Sequence, residues 1–352
     1  MTTEMFDVRG RKTPRELGFY MPAEWHPHTA TWLAWPKDPE TWPDRVERAE
    51  EAFLEIIRAL APHETVYLLV DDETVEQTVR ARCCFPGSDN VRTIRLETVD
   101  SWIRDYGPNF LIDGRGRLAY NDWIFNAWGD KYEDLKRDDA IPRQLESILN
   151  VPRFEPGIVM EGGAIDVNGA GCVLTTEQCL LNPNRNPHLS REEIELYLGD
   201  YLGVSKVVWL GEGIVGDDTD GHVDDIARFV GERTIVCAVE EDTADPNHEF
   251  LADNLRRLKL ATDARGRRFE IVTLPMPGEV LGRDGRLPAS YANFLIANSV
   301  VLLPVFNHTN DSRAAEILQQ LFPTRRVTPV RADDLVWGMG TIHCLSQQQP
   351  AP

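Results

Sequence analysis

Apolar residues along the chain follow a helical spacing and then, after a short break, a strand-like run. Over residues 44–60 the apolar side chains stand three or four positions apart, and the β-branched run Thr65–Val70 comes soon after them. The same order returns several times. The predicted helices with the strands that follow them are 44–60 with 65–70, 74–83 with 91–96, 191–202 with 206–210, 249–260 with 269–274, and 314–321 with 326–330.

Polar turns that lead into further strands separate these units. They cover residues 101–112, 161–175, 220–236, 290–303 and 338–348, and the stretch 28–36 resembles a sixth. A strand-and-helix unit repeated roughly every 50 to 70 residues favours an array or a closed ring over one open sheet. A ring closes most simply when the first and last strands share a unit, which leaves five units. A doubly wound sheet is less favoured, because the sequence has no GxGxxG turn.

The composition, with 42% hydrophobic and 27% charged residues among 352, is that of an ordinary globular protein. Length alone allows one large domain or two smaller ones. Only the ends, residues 1–15 and 349–352, are expected to be loose. The sequence has neither an apolar run of membrane-spanning length nor an apolar N-terminal signal, so we expect a cytoplasmic protein without membrane contact.

The formal net charge of -20 narrows the choice of partners. Nucleic-acid binding depends on Lys and Arg side chains that neutralise phosphates, so we expect no nucleic-acid partner. An acidic field favours a cationic ligand, although the same charge also serves solubility. The six cysteines show no CxxC pair and no zinc-type spacing, which predicts free thiols and leaves open that one of them is a nucleophile.

Polar residues are concentrated in five stretches where strand interiors should be apolar. These stretches are 102–108, 161–163, 182–187, 218–224 and 338–349. In the last of them, Cys344 lies in a strand-like run whose same-face neighbours are Ile342 and Ser346, so a buried inert thiol stays an alternative to a nucleophile. His343 should point to the opposite face of that strand, which makes it a poor base for Cys344.

Three further stretches supply a histidine and three carboxylates. His222 and Asp224 are two positions apart, so on a strand they would share a face and combine a proton shuttle with a cation holder. Asp105 and Glu161 stand near glycines that permit close approach of a ligand. The alternatives are a salt bridge between Asp105 and Arg104, and a plain turn role for Glu161.

Such a set suits a guanidinium group better than it suits a protease, which needs an oxyanion hole more than surplus acids. A guanidinium is planar, cationic and rich in donors, and carboxylates match it with two hydrogen bonds at a time. Carboxylates that fix the group in place would let a thiolate reach its central carbon.

The chain resembles the agmatine deiminases of the guanidino-group-modifying (pentein) superfamily, a group related to bacterial-type peptidylarginine deiminases. The resemblance covers nearly the whole chain. Its motifs are GFYMPAEW (18–25), WIRDYGP (102–108), FNAWG (125–129), EGG (161–163), LNPNRNPH (181–188), DTDGHVD (218–224), DARG (263–266), ASYANF (289–294) and IHCLSQQQP (342–350). Many matches in order are far more specific than any one of them.

The resemblance implies an α/β fold, a five-bladed propeller of repeated ββαβ units with pseudo-fivefold symmetry, formed as a single catalytic domain of residues 1–352. It implies hydrolysis of agmatine to N-carbamoylputrescine and ammonia in putrescine biosynthesis, through a covalent amidino-cysteine intermediate. It implies no metal or organic cofactor, a small cationic guanidino substrate and a homo-oligomer.

The resemblance also assigns residue roles by position. Three residues would carry the chemistry: Cys344 as nucleophile, His222 as general acid and base, and Glu161 as the group that assists His222. Four would hold or enclose the substrate: Asp105, Asp224, Asp218 and Trp102.

Departures from the family pattern keep other substrates open. Met339 and Thr341 interrupt the glycine run before the cysteine, and Asp130 stands where a second glycine is expected. The alternatives are a deiminase of arginine or peptidyl arginine, a catalytically silent guanidinium-binding homologue, and a zinc hydrolase with His222 and Asp224 as ligands.

Overall fold

The computed structural model describes residues 12–352, and the expected loose residues 1–11 lie outside this range. Its strands are β1 Phe19–Tyr20, β2 His28–Ala34, β3 Thr65–Val70, β4 Val91–Arg95, β5 Asn109–Asp113, β6 Leu118–Asn121, β7 Arg153–Phe154, β8 Asp166–Val167, β9 Cys172–Thr176, β10 Lys206–Leu210, β11 Ala227–Phe229, β12 Thr234–Val239, β13 Glu270–Pro275, β14 Leu295–Ile296, β15 Val300–Val305, β16 Arg326–Arg331 and β17 Ser346–Pro350. Its α-helices are α1 Val46–Leu60, α2 Glu73–Arg82, α3 Ile103–Tyr106, α4 Ala127–Asp130, α5 Ile141–Gln144, α6 Glu146–Leu149, α7 Glu177–Leu180, α8 Arg191–Leu202, α9 Asn247–Leu260 and α10 Asp311–Leu321. Short 3-10 helices cover Arg15–Leu17, Ser88–Asn90, Asp134–Ala140, Gly162–Ala164, Val223–Asp225 and Leu335–Gly338.

The strands of the described chain form five separate mixed sheets. Their strand orders are β17-β2-β3-β4, β1-β5-β6-β7, β10-β9-β8, β11-β12-β13 and β14-β15-β16. Each sheet contains an antiparallel pair that is extended by a parallel pair, as where β12 pairs antiparallel with β11 and parallel with β13. Parallel neighbours need a crossover connection, and helix α9 supplies it here. The protein therefore has a mixed α/β fold built from small ββαβ sheets.

The helices form where the sequence gives them a buried face and defined ends. In α1 the apolar side chains at Phe53, Ile56, Ile57 and Leu60 are all fully buried. Helix α8 begins with a capping box between Ser190 and Glu193, as its polar start predicts. Within residues 12–352, none of the helices has both the length and the apolar character needed to cross a bilayer.

The C-terminal tail is ordered, contrary to the expectation of a loose end from residue 349. Gln349 and Pro350 belong to β17, which pairs antiparallel with β2 near the start of the chain. The pairing places an early strand and the last strand in one sheet, as ring closure requires. At the other end, Thr13 is buried and a 3-10 helix begins at Arg15. The prediction that residues 1–15 are loose is therefore wrong for its last residues.

The segments that lead into the first strand of each ββαβ unit carry the polar motifs. Helix α3 precedes β5, the 3-10 helix Gly162–Ala164 precedes β8, and the 3-10 helix Val223–Asp225 precedes β11. The ASYANF motif precedes β14, and a turn at 342–345 precedes β17. Helix α3 contacts both β17 and the 3-10 helix Gly162–Ala164, so the starts of different sheets meet.

Candidate active site

Three of the predicted site residues surround the backbone of Gly163. A methyl group at this glycine would lie 2.6 Å from His222 Nδ1, 2.8 Å from Asp105 Oδ1 and 3.2 Å from Asp224 Oδ2. The Gly163 amide donates to Asp105 Oδ1 over 2.9 Å. All three side chains are buried. Only glycine leaves room for this convergence, which explains the second glycine of the EGG motif.

Cys344 lies in the turn at 342–345 and not on the strand that we predicted. The side chain is buried, and its Sγ atom is 3.8 Å from Asp224 Oδ2. Asn293 donates to the same sulfur from Nδ2 over 3.1 Å. The thiol therefore faces a carboxylate and an amide, which does not fit the alternative of inert core filler. Asn293 is a site residue that we missed, although the ASYANF motif contained the signal.

His222 lies just before a 3-10 helix and not on a strand, so the predicted shared strand face with Asp224 is wrong in its geometry. The two side chains nevertheless point to the same space, because the tight 3-10 turn brings both towards Gly163. The ring lies 3.7 Å from Asp105 Oδ1. Within residues 12–352, neither ring nitrogen of His222 has a hydrogen-bond partner. The imidazole is thus available to a ligand.

Glu161 is fully buried and paired with Arg185, so it is more than a turn residue. Arg185 donates from Nε to Glu161 Oε1 over 2.6 Å and from Nη1 to Asp220 Oδ2 over 2.8 Å. The polar stretch 182–187 therefore has a structural role, because Arg185 connects the loop of Glu161 to the loop that carries His222. Within the described range, Oε2 of Glu161 has no hydrogen-bond partner.

Burial sets the protonation of these groups. It raises the pKa of Asp105 well above the ordinary value, and the neighbouring Asp224 carboxylate adds to the rise. It lowers the pKa of His222 to about 3, against the opposing effect of Asp224. Burial and the carboxyls of Asp224 and Asp225 raise the pKa of the Cys344 thiol well above the ordinary value. An unliganded site therefore favours a neutral imidazole and a neutral thiol, and a bound cation would favour the thiolate.

His343 is a second residue that we misjudged, because we placed it on a strand face turned away from the site. In the turn, its Nδ1 lies 2.7 Å from Asp224 Oδ2. Its Nε2 lies 3.0 Å from Glu24 Oε2. The alternative of a salt bridge between Asp105 and Arg104 finds no support in the contacts of the described residues, where Arg104 donates to the His343 carbonyl and to Gln348.

A cavity of about 770 Å³ reaches from the surface to Cys344 and Asp105. Trp102 and Trp128 line it, and both are buried. Trp128 donates from Nε1 to Asp105 Oδ2 over 3.0 Å, while Trp102 donates to Asp100 Oδ2 over 2.9 Å. Trp102 thus forms a wall of the cavity, and Trp128 fixes a carboxylate at its end.

The mouth of the cavity holds paired charges. Asp218 lies there, half-buried, and accepts from the Tyr132 hydroxyl over 2.5 Å. Lys131 bridges it to Asp220, with Nζ 3.4 Å from Asp218 Oδ1 and 3.0 Å from Asp220 Oδ1. Among the departures from the family pattern, Met339 lines the cavity, whereas Asp130 is exposed and pairs with Lys136.

Two buried groups in the described chain could in principle hold a metal ion. One consists of Glu161, Cys179 and His222, and the other of Asp224, Asp225 and Cys344, each with ligand atoms within 4.8 Å of one another. His222 and Asp224, the pair of the zinc alternative, therefore fall into different groups. The arrangement does not favour a zinc site that is built on that pair.

Known proteins resemble the chain over its full length. A family model described as Porphyromonas-type peptidyl-arginine deiminase matches residues 20–350. An agmatine deiminase of Ectopseudomonas mendocina is 42% identical over 97% of this chain and 98% of its own length. The structure of an agmatine deiminase of Enterococcus faecalis matches with a TM-score of 0.92 at 35% identity, over 99% of this chain and all of that one. A substrate-bound agmatine deiminase of C. jejuni matches with a TM-score of 0.85 at 30% identity, over 94% of this chain and 96% of that one.

Proposed function

Since the chain belongs to the Porphyromonas-type peptidyl-arginine deiminase family, and is a hydrolase of C–N bonds in linear amidines, we propose that it converts agmatine to N-carbamoylputrescine and ammonia. One observation carries the proposal. The buried Cys344 thiol and Asp105 line the inner end of a cavity that Trp102 and Trp128 also line. Asp224 Oδ2 lies 3.8 Å from that thiol. The His222 ring, whose nitrogens have no hydrogen-bond partner within residues 12–352, lies 3.7 Å from Asp105 Oδ1. This is the set that a planar cation and a thiol nucleophile require.

Binding would place the guanidinium between Asp105 and Asp224. Asp224 Oδ1 is buried and has no hydrogen-bond partner within residues 12–352, so it offers an acceptor to the ligand. Asp105 keeps one oxygen on Trp128 and the other on Gly163, which fixes the direction of its remaining lone pairs. The positive charge of the guanidinium would offset the repulsion between these acids and lower the pKa of the nearby thiol.

The reaction would then run in two halves. The Cys344 thiol gives its proton to His222, and Sγ adds to the guanidinium carbon. His222 returns this proton to one amino nitrogen, the C–N bond breaks, and ammonia leaves behind an amidino-thioether. His222 next takes a proton from water, and the hydroxyl adds to the same carbon. The C–S bond breaks, His222 reprotonates the sulfur, and the hydroxyl proton passes to solvent, where ammonia takes it up.

Glu161 would assist His222 as a nearby carboxylate that stabilises the imidazolium formed in each half. Its side-chain oxygen and a ring nitrogen of His222 lie within 4.8 Å of each other. Arg185 holds Oε1 of Glu161, and Oε2 has no hydrogen-bond partner within residues 12–352.

We also propose that the five ββαβ units close into a propeller around this site. In four of the five units the crossover helix contacts the sheet of another unit: α1 contacts β16, α10 contacts β13, α9 contacts β10, and α8 contacts β1. Strand β17 also contacts β5, a strand of another sheet. The pairing of β17 with β2 joins the two ends of the chain. A cyclic arrangement satisfies all of these contacts and gathers the starts of the first strands at the centre.

The mouth of the cavity favours agmatine over arginine. Of the three cations that line it, two are already held by carboxylates, Lys131 by Asp218 and Asp220, and Lys37 by Asp71. The third, Arg137, donates to the Asp134 carbonyl oxygen. The lining acids Asp38, Glu40, Glu133 and Asp134 suit a distal ammonium better than a carboxylate. The product would then supply putrescine biosynthesis. A cytoplasmic location and a homo-oligomer stay predictions.

The test is a comparison of agmatine, arginine and an arginyl peptide by ammonia release. We expect the highest kcat/KM for agmatine by at least about tenfold, because arginine would bring its carboxylate to an acidic mouth. Equal or faster turnover of arginine would overturn the substrate assignment and leave the reaction type in place. Binding of agmatine without turnover would instead favour the silent homologue.

A further inference from the structure

Two motif residues take no part in the proposed reaction: Glu24 of GFYMPAEW and His343 of IHCLSQQQP. They are in contact with each other beneath the site, 319 positions apart in sequence. His343 is 2% exposed and lies between two carboxylates, with Nδ1 on Asp224 and Nε2 on Glu24. The imidazole therefore links the cation-binding acid to the interior of the protein.

The surroundings indicate that this imidazole is charged. A neutral ring donates from one nitrogen only, whereas here both nitrogens face carboxylate oxygens. Glu24 is held as a carboxylate by Arg228, which donates to the same Oε2 atom, and by the backbone amide of Ile296 over 2.6 Å. Two further cations lie nearby: Arg228, through the shared Glu24 Oε2 atom, and Arg104, which donates to the His343 carbonyl oxygen. With both acids ionised, the ring donates to both only as an imidazolium.

The pKa values of the neighbouring acids Asp105 and Asp225 are shifted in the opposite direction from that of Asp224. Burial and the charge of Asp224 raise the pKa values of Asp105 and Asp225 well above the ordinary value. Burial also raises the pKa of Asp224, but the hydrogen bond and charge of His343, with smaller effects from His222 and Arg228, outweigh it, so this pKa lies below the ordinary value. Among these three acids, Asp224, which contacts His343, is the one whose pKa is lowered.

We propose that His343 is a positioning residue that, as an imidazolium held by Glu24, keeps Asp224 ionised and turns its open Oδ1 towards the guanidinium of the substrate. The inference rests on the proposed function, because the cation that Asp224 receives is the substrate. The two oxygens of Asp224 then have different partners: Oδ2 contacts His343, and Oδ1 is left to bind the ligand.

Two variants separate the charge from the hydrogen bond. In His343→Gln the amide can reach Glu24 in the place of Nε2 but leaves Asp224 without a donor. In His343→Asn the amide can take the place of Nδ1 and donate to Asp224, without the charge. Binding is measured by calorimetry in a Cys344→Ser background with agmatine, a cation, and with N-carbamoylputrescine, its neutral ureido counterpart at the same end.

We expect His343→Gln to weaken agmatine binding by on the order of tenfold or more and to change N-carbamoylputrescine binding less than about threefold, because only the guanidinium needs an ionised Asp224. His343→Asn should fall between wild type and His343→Gln. A merely structural role would weaken both ligands alike, and that outcome would overturn the inference.

His28 offers a matched control. It is also buried between a carboxylate and a second acceptor, with Nδ1 3.3 Å from Glu64 Oε1 and Nε2 2.7 Å from the Glu24 carbonyl oxygen. His28→Gln should lower thermal stability about as much as His343→Gln while it leaves the ratio of the two ligand affinities unchanged. A change in that ratio would show that any buried histidine has this effect.

A measurement on the wild-type protein covers the case in which the variants do not fold. With 15N-labelled histidine, an imidazolium shows two protonated ring nitrogens, whereas a neutral ring shows one that is unprotonated. We expect one buried histidine to show the charged pattern, with both ring nitrogens protonated. Absence of such a ring would refute the inference and leave the proposed function standing. Failure of the wild type to hydrolyse agmatine would instead refute the proposed function.

Discussion

The inner end of the cavity and its mouth hold charged groups in opposite ways. At the inner end, Asp105 and His222 are buried and their pKa values are displaced towards the neutral forms. At the mouth, Asp218 and Lys131 remain partly exposed and pair with each other. On the proposed function, we interpret this difference as a division of roles: burial prepares the inner end for chemistry, and the partly exposed charges at the mouth select the ligand.

The largest effect is expected from removal of the sulfur at the inner end. Cys344→Ser should reduce kcat by on the order of 10⁴-fold or more, because a hydroxyl in this setting is a far weaker nucleophile. Agmatine affinity, measured by calorimetry, should stay within about threefold of wild type, since Asp105 and Asp224 are untouched. Retained turnover would contradict the covalent mechanism.

The second-largest effect is expected from Gly163→Ala, which tests how tightly the inner end of the cavity is packed. Gly163→Ala places a methyl group 2.6 Å from His222 Nδ1, so the imidazole must move. We expect kcat/KM to fall by about a hundredfold, the effect of a shift near 1 Å in a reacting group. Gly114→Ala is the matched control, because a methyl group there meets no atom within 4 Å. Similar losses in both variants would mean that the convergence at Gly163 is unimportant.

The pH dependence of kcat/KM should differ from that of kcat, because the first reports the free enzyme and the second the enzyme with bound substrate. Because burial and the nearby acids raise the pKa of Cys344, and the deprotonated sulfur is the active form, kcat/KM should increase with pH into the alkaline range. A bound guanidinium lowers that pKa, so kcat should reach its plateau at lower pH than kcat/KM does. Coincident profiles would argue against activation of the thiol by the substrate.

The smallest effect is expected at the mouth. Asp218→Asn should raise KM for agmatine by about three- to tenfold with little change in kcat, since it removes an exposed charge that contacts only the distal end. Asp130→Asn serves as control, because Asp130 lies on the same segment as Lys131 but outside the cavity lining. An effect of equal size in both would mean that general acidity of the surface, and not Asp218, recruits the substrate.

Local sequence signals predicted the longer helices with the strands that follow them, and several of the residues that lie together at the cavity, although not Asn293, Glu24 or the contacts of His343. Helix α8 and strand β10 have the predicted bounds, because a capping box starts the helix and a β-branched run forms the strand. The motif residues Cys344 and His222 lie at the starts of sheets, where polar residues interrupt an apolar pattern. Such interruptions can be recognised from the amino-acid sequence alone.

The direction of the site side chains could not be predicted in the same way. We assumed strand geometry around His343 and around His222, and the structure has a turn and a 3-10 helix there. Alternation of faces fails in such segments, so His343 was assigned to the wrong side. Its partner Glu24 lies near the other end of the chain, and only the tertiary fold brings the two together.

Mass spectrometry of the enzyme quenched during turnover of agmatine looks for the proposed covalent intermediate itself. We expect an adduct with the mass of the amidino-substrate on the peptide that contains Cys344. The adduct should be absent once the substrate has been consumed, and absent in Cys344→Ser. Steady turnover without an adduct on this peptide, or with the adduct on another cysteine, would contradict the proposed intermediate on Cys344.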